Sequence, residues 1–161
     1  RVIEFIKSLT SNTELITFLI AMVPVIELRG AIPVGVSLGL SYWSVFLLSV
    51  LGNLLPIPFI IIFIRRIFLW IRRRIPKLNG FVDRMEQKAE KKRGFIQKWS
   101  FLGLMLLVAI PLPGTGAWTG ALIATLLDIR LKSAMPAIAL GVLIAGCLVM
   151  GVTYGFAGLF V

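Results

Sequence analysis

Apolar and polar positions fall along this chain in long blocks, and the blocks recur twice in the same order: a short apolar run, a break rich in proline and glycine, a second short apolar run, a polar step and a long apolar stretch. In the first half these are Leu15 to Val25, the break Pro24-Val-Ile-Glu-Leu-Arg-Gly-Ala-Ile-Pro33, Val34 to Leu40, Ser41, and Tyr42 to Ile64. In the second they are Phe101 to Ile110, the break Pro111-Leu-Pro-Gly-Thr-Gly-Ala-Trp-Thr-Gly120, Ala121 to Leu127, Asp128 to Lys132, and Ser133 to Val161. Tyr42 to Ile64 runs 23 residues without a charge, enough for a helix to cross a bilayer. The broken stretches, Leu15 to Leu40 with 26 residues and Trp99 to Leu127 with 29, are too long for one span of about 20 residues and too short for two. Arms of about twelve residues are roughly 18 Å long as helices, so each pair is expected to enter the membrane, turn near its middle and return. Irregular backbone at that depth has to be buried in protein or line an aqueous cavity, so the two tips should meet.

Composition turns this pattern into a class. With 58% hydrophobic residues, 15% charged residues and a mean hydropathy of +0.98, the chain carries more apolar surface than a soluble core of 161 residues could bury. The expected fold is an all-α integral membrane protein, one membrane domain over residues 1–161. The single Cys147 excludes an internal disulfide, and no pattern of metal ligands, phosphate-cradling loop or nucleophile and base is present, so neither an enzyme nor a resident cofactor is expected. Residues before Thr13 interleave Val2, Ile3, Phe5, Ile6 and Leu9 with Glu4, Lys7 and Ser8, as in an amphipathic helix at the membrane surface.

Charge sets the orientation. The net charge of +10 is concentrated: 12 of the 17 Lys and Arg residues lie between Arg65 and Lys98, beside only Asp83, Glu86 and Glu90. No recognition pattern for nucleic acid accompanies them. A basic connector over residues 65–98 belongs in the cytoplasm by the positive-inside rule and is drawn to anionic lipid. Within it, Val82 to Lys92 reads as a polar helix between Asn79-Gly80 and Gly94. The connector separates a first repeat (1–64) from a second (99–161). With the connector inside, the two hairpins enter from opposite faces as an inverted repeat, and Arg130 and Lys132 fall on the cytoplasmic side. Four simple spans would place that basic step outside. Trp43, Trp70 and Trp99 sit where an aromatic belt is expected, and Pro56, Pro58 and Pro136 mark kinks or helix starts.

Charges inside a membrane are candidates for function. Glu27 and Arg29 lie within the first break, where a carboxylate could exchange protons and an arginine could hold an anion; the alternative is a structural pair that holds the tip. The second break is neutral, but Gly114 and Gly116 let the backbone present N–H groups, the following helix offers the positive end of its dipole, and Thr115 and Thr119 add hydroxyl groups. Trp118 lies close enough to line the cavity, and Gly30, beside Arg29 in the first break, is a further substrate-binding candidate. Asp128 either caps the last helix or takes part in coupling, and Arg130 either anchors the helix or binds substrate.

Glu27-Leu-Arg-Gly-Ala-Ile-Pro33 and Pro111-Leu-Pro-Gly-Thr-Gly-Ala-Trp-Thr-Gly120 resemble the signature segments of the small multidrug export proteins, over nearly the whole chain. The plan of two hairpins is similar, more distantly, to the DedA membrane proteins of the VTT group. That second resemblance implies two oppositely oriented re-entrant hairpins, proton-linked behaviour and, in some members, translocation of phosphorylated lipid carriers such as undecaprenyl phosphate, with Glu27 as the membrane acid and Arg130 as a second-half arginine. The resulting expectation is a small secondary transporter of a prokaryotic cytoplasmic membrane. Membrane lipid, an amphipathic anion and protons or another coupling ion would be its partners, and a homodimer would enclose the pathway. Proton-coupled efflux of cationic amphiphilic drugs and a non-transporting scaffold or insertion factor are the alternatives.

Overall fold

The computed structural model describes residues 2–112 and 114–158, without the side chains of residues 7–9, 95, 97, 99, 100 and 156–158. The described residues are helical and contain no strand: α1 Val2–Leu9, α2 Thr13–Met22, α3 Glu27–Ser37, α4 Tyr42–Leu54, α5 Ile57–Arg74, α6 Asn79–Ala109, α7 Ala117–Leu126 and α8 Leu131–Gly158, with a 3-10 turn at Pro76–Leu78.

Local chemistry accounts for most of the boundaries. The Asn12 side chain accepts the Glu14 and Leu15 N–H groups at 2.9 and 3.2 Å and starts α2, and Ser41 does the same for α4 through Ser44 N–H at 3.3 Å. The long apolar run from Tyr42 is interrupted at Leu55 and Pro56. Pro56 and Pro58 have no N–H to give the carbonyls of Gly52 and Leu54, so the run is α4 followed by α5, broken where those prolines were expected to mark kinks or helix starts, and it continues past Ile64 to Arg74 as one apolar stretch. Pro136 sits inside α8 without ending it. Val82 to Lys92 is helical, but Gly94 does not end the helix, which runs unbroken into the arm before the second break. Buried Val82, Ala89 and Ile96 recur every seven residues there. A continuous apolar face of that kind outweighs the roughly 1 kcal/mol that an interior glycine costs.

Both breaks are shorter than the sequence suggested. The first comprises only Val23 to Ile26, because α3 starts at Glu27 and carries Pro33 inside it. The turn forces Val25 to φ 77° and Glu27 to φ 50°. A β-branched residue in the left-handed region is a steric outlier, and Val25 is 92% exposed at the apex. The second comprises Ile110 to Gly116, since α7 begins at Ala117; Pro113 lies outside the described residues.

Packing repeats between the halves. A Cβ at Gly52 on α4 would meet the Phe18 carbonyl and Ala21 of α2, and one at Gly141 on α8 would meet the Met105 carbonyl and Val108 of α6. Each long helix thus lies close against the arm that precedes its half's break. The second arms cross over: α3 packs on α8, and α7 on α5, where Thr125 Oγ1 donates to the Ile61 carbonyl at 3.3 Å. Both second arms also end alike, with a left-handed residue after the helix. Gly39 does this for α3, where Leu40 N–H bonds Gly35 O at 3.2 Å; Asp128 does it for α7, where Ile129 N–H bonds Ala124 O at 2.8 Å. Asp128 therefore closes α7 rather than capping α8, which begins at Leu131.

The main core joins both halves through Leu28, Ile32, Val45, Ile57, Leu104, Ile123 and Ile138, and a smaller one sits under α1 around Ile6, Ile16 and Ile20. Tyr42–Arg74 and Leu131–Gly155 are long and apolar enough to cross a membrane, and Phe59, Ile62, Leu143 and Leu148 turn outward from them, as lipid-facing side chains do. Trp43 and Trp70 are exposed; the Trp99 side chain lies outside the described residues.

Candidate functional site

The two breaks meet, and each supplies what the other lacks. Glu27, the first residue of α3, is 4% exposed. Its carboxylate accepts the Trp118 N–H at 3.0 Å and the Ala117 N–H at 3.3 Å. These are the first N–H groups of α7, a helix that has no capping side chain of its own because Gly116 stands at its N-cap. Glu27 is thus a cap delivered from the other half of the chain. Negative charge is favourable at this end of a helix, and ionised acceptors make the stronger hydrogen bonds. Gly116 is obligatory for two reasons. Its backbone sits at φ 124° and ψ −175°, a region open essentially to glycine alone, and a Cβ there would overlap the Glu27 carboxylate.

Arg29 takes the opposite part. One guanidinium nitrogen donates to the Leu112 carbonyl, and the other to Thr115 Oγ1 at 3.0 Å and the Ile110 carbonyl at 3.4 Å. Thr115 Oγ1 lies 2.8 Å from the same two carbonyls, so it can accept from arginine while donating to one of them. Lys88 of α6 adds a third hold, its Nζ 2.9 Å from the Gly114 carbonyl. The second break is therefore gripped by charge at both polarities: carbonyls by Arg29 and Lys88, and N–H groups by Glu27. Glu27 and Arg29 reach it separately and form no ion pair with each other among the described contacts.

The other candidate residues are distributed unevenly. Gly114 and Thr115 are in the contact, and Trp118 takes part through its backbone while its indole N–H is buried without a partner. Thr119 is half-buried on the first turn of α7. Gly30 belongs to the helical ladder of α3, its N–H on Ile26 O at 3.1 Å. Asp128 and Arg130 lie beyond the far end of α7, a ten-residue helix about 15 Å long. Asp128 pairs with Arg65 at 2.7 Å, both largely exposed, and Arg130 is exposed. They are not brought to the tips.

Sequence reasoning missed Lys88, Asn53 and Ser49. Asn53 of α4 is 1% exposed, approaches the Glu27 carboxylate without reaching hydrogen-bond geometry, and leaves both amide atoms without a partner. Ser49, one turn earlier, is buried with its hydroxyl unpartnered. Their signal was two polar residues four apart in an apolar run. Lys88 had none, being one base among many. An open cleft of about 350 Å³ between α5, α6 and α7 has Arg65, Arg72 and Arg93 on its wall over Phe68 and Leu126, apart from the tips. Among the described residues no group of three or more His, Cys, Asp or Glu comes together.

No curated protein and no solved structure matches the chain. The family model with the description "Putative small multi-drug export protein" matches residues 27–148, beginning at Glu27, just after the first break, and including the second. The chain belongs to that family.

Proposed function

We propose that the protein is a small secondary membrane transporter, linked to protons or another ion, that moves an amphipathic anion such as a polyprenyl phosphate between the two faces of a prokaryotic cytoplasmic membrane. The observation that carries this reading is the Glu27 carboxylate seated on the first N–H groups of α7. A buried acid from one half holds an anion-favouring helix end of the other, which is how broken helices build binding sites near the midplane of transporters. In this reading α2 with α3, and the end of α6 with α7, are re-entrant hairpins related as an inverted repeat. The matching Gly52 and Gly141 contacts and the matching turns at Gly39 and Asp128 support it. The basic connector is cytoplasmic, so Arg130 and the end of α7 face the inner entrance, and a second copy of the chain completes the pathway. The likeness to the DedA proteins rests on the plan of two hairpins.

The family description names multi-drug export, which fits a second reading, efflux of cationic amphiphiles coupled to protons, in which Glu27 binds the cation and Arg29 is a gate. Reconstitution in liposomes separates the two. Head-group-labelled polyprenyl phosphate should cross with wild type and fail with Glu27→Gln and Arg29→Ala. Equal translocation by all three contradicts the proposal, and transport of a lipophilic cation in its place supports efflux.

A further inference from the structure

Resting on that reading, we infer that an oxyanion head group and the ionised Glu27 carboxylate compete for one place, the start of α7, so that the anion and a proton on Glu27 bind together and cross in the same direction.

The space is single. Gly116 has no side chain, and the volume a Cβ would fill is taken by the Glu27 carboxylate, which also uses the N–H groups of Ala117 and Trp118. An incoming sulfate- or phosphate-like group needs those same donors. Two anions cannot share them, and the nearby guanidinium of Arg29 already balances the Glu27 carboxylate while its N–H groups bond the second tip. Arg29 and Lys88 are committed to the carbonyls of the second tip, α4 and α7 contain no charged residue, and α8 contains only Lys132 near its start.

Asn53 points to the exchange independently. It is 1% exposed, faces the Glu27 carboxylate, and has neither its Nδ2 nor its Oδ1 in a hydrogen bond. A buried amide beside the carboxylate, with neither atom in full hydrogen-bond geometry, is short of partners, and another state can supply them. A neutral Glu27 and a bound oxyanion supply both: the carboxyl O–H donates to Asn53 Oδ1, and Asn53 Nδ2 donates to the anion beside the two backbone N–H groups. The proton comes from water on the side of entry, sits on a Glu27 oxygen, and returns to water when the anion leaves.

Linkage makes the sign of coupling measurable, because whatever requires protonated Glu27 must also promote its protonation. The probe is octyl sulfate, an amphipathic oxyanion that stays ionised across the pH range, with inorganic sulfate as the arm without a tail. Calorimetric titration of the detergent-solubilised protein, in buffers of different ionisation enthalpy, gives affinity and protons exchanged together. Wild type should take up about one proton per octyl sulfate, with affinity falling up to about tenfold per pH unit as Glu27 ionises. Glu27→Gln should bind without proton uptake and with no such pH dependence. Binding of octyl sulfate but not sulfate identifies a lipid-like source, and equal binding identifies a free oxyanion; both support competition. Wild-type binding without proton uptake overturns the inference on its own, whether or not Glu27→Gln folds. Failure of wild type and Glu27→Gln to bind either anion overturns the anionic-substrate reading beneath it.

Discussion

The two breaks occupy equivalent places in the two halves, yet they divide the labour. The first is a four-residue turn, Val23 to Ile26, whose important groups are side chains at the start of the next helix: Glu27 and Arg29. The second is a seven-residue loop, Ile110 to Gly116, whose important groups are main-chain N–H and C=O, with Thr115 as the one polar side chain. One break grips and the other is gripped. An uncapped helix start and unpaired carbonyls in a packed interior are costly, and so is a buried carboxylate. Brought together they satisfy each other, so the junction holds only as long as both partners stay in place.

This asymmetry can be broken from either side. The largest effect is expected at Gly116. Gly116→Val imposes a side chain on a glycine-only backbone and expels the Glu27 carboxylate, costing about 3 kcal/mol or more; thermal unfolding in detergent should fall sharply and transport should vanish. Glu27→Ala removes the cap without straining the loop, leaving two N–H groups unpaired at about 1–3 kcal/mol, so its melting temperature should fall between that of Gly116→Val and wild type. Arg29→Lys keeps the charge but loses the planar fork that reaches three acceptors, and about 1 kcal/mol of stability is expected to go with it. Asn53→Leu should separate stability from function. Removing a buried amide without partners leaves the melting temperature unchanged or slightly raised, while transport of the labelled lipid falls. A marked loss of stability would instead assign Asn53 a structural role.

Much of the fold was legible in the block pattern, because apolar runs, caps such as Asn12 and Ser41, and proline positions act locally. The breaks were placed correctly but drawn too long. Pro33 and Gly120 read as breakers, yet Pro33 sits on the exposed side of α3, whose other face is buried at Leu28, Ala31, Ile32 and Gly35, and Gly120 lies in the largely buried α7, tertiary packing that overrides propensity. Gly94 was misread because the helix there is carried by one buried face, through Ala89 and Ile96, while Gly94 itself is exposed. At the site, Glu27, Arg29, Gly116 and Thr115 could be picked out as a charge in an apolar run and as glycine-rich backbone. Which atom meets which could not, since that depends on contacts across more than eighty residues of sequence. Arg130 and Asp128 stood out by charge alone, and they lie at the opposite end of α7. Asn53 was passed over because a single amide in an apolar stretch has the same sequence signature whether it packs, binds water or serves a site.

The central claim is that the carboxylate of one half caps a helix of the other. Amide hydrogen exchange at Ala117 and Trp118, compared between wild type and Glu27→Ala in the same detergent, tests it most directly. Loss of protection at those two amides by about tenfold or more, equivalent to at least 1.4 kcal/mol, with α2 unchanged, is the predicted result. Equal protection at both amides in the two proteins would contradict the account.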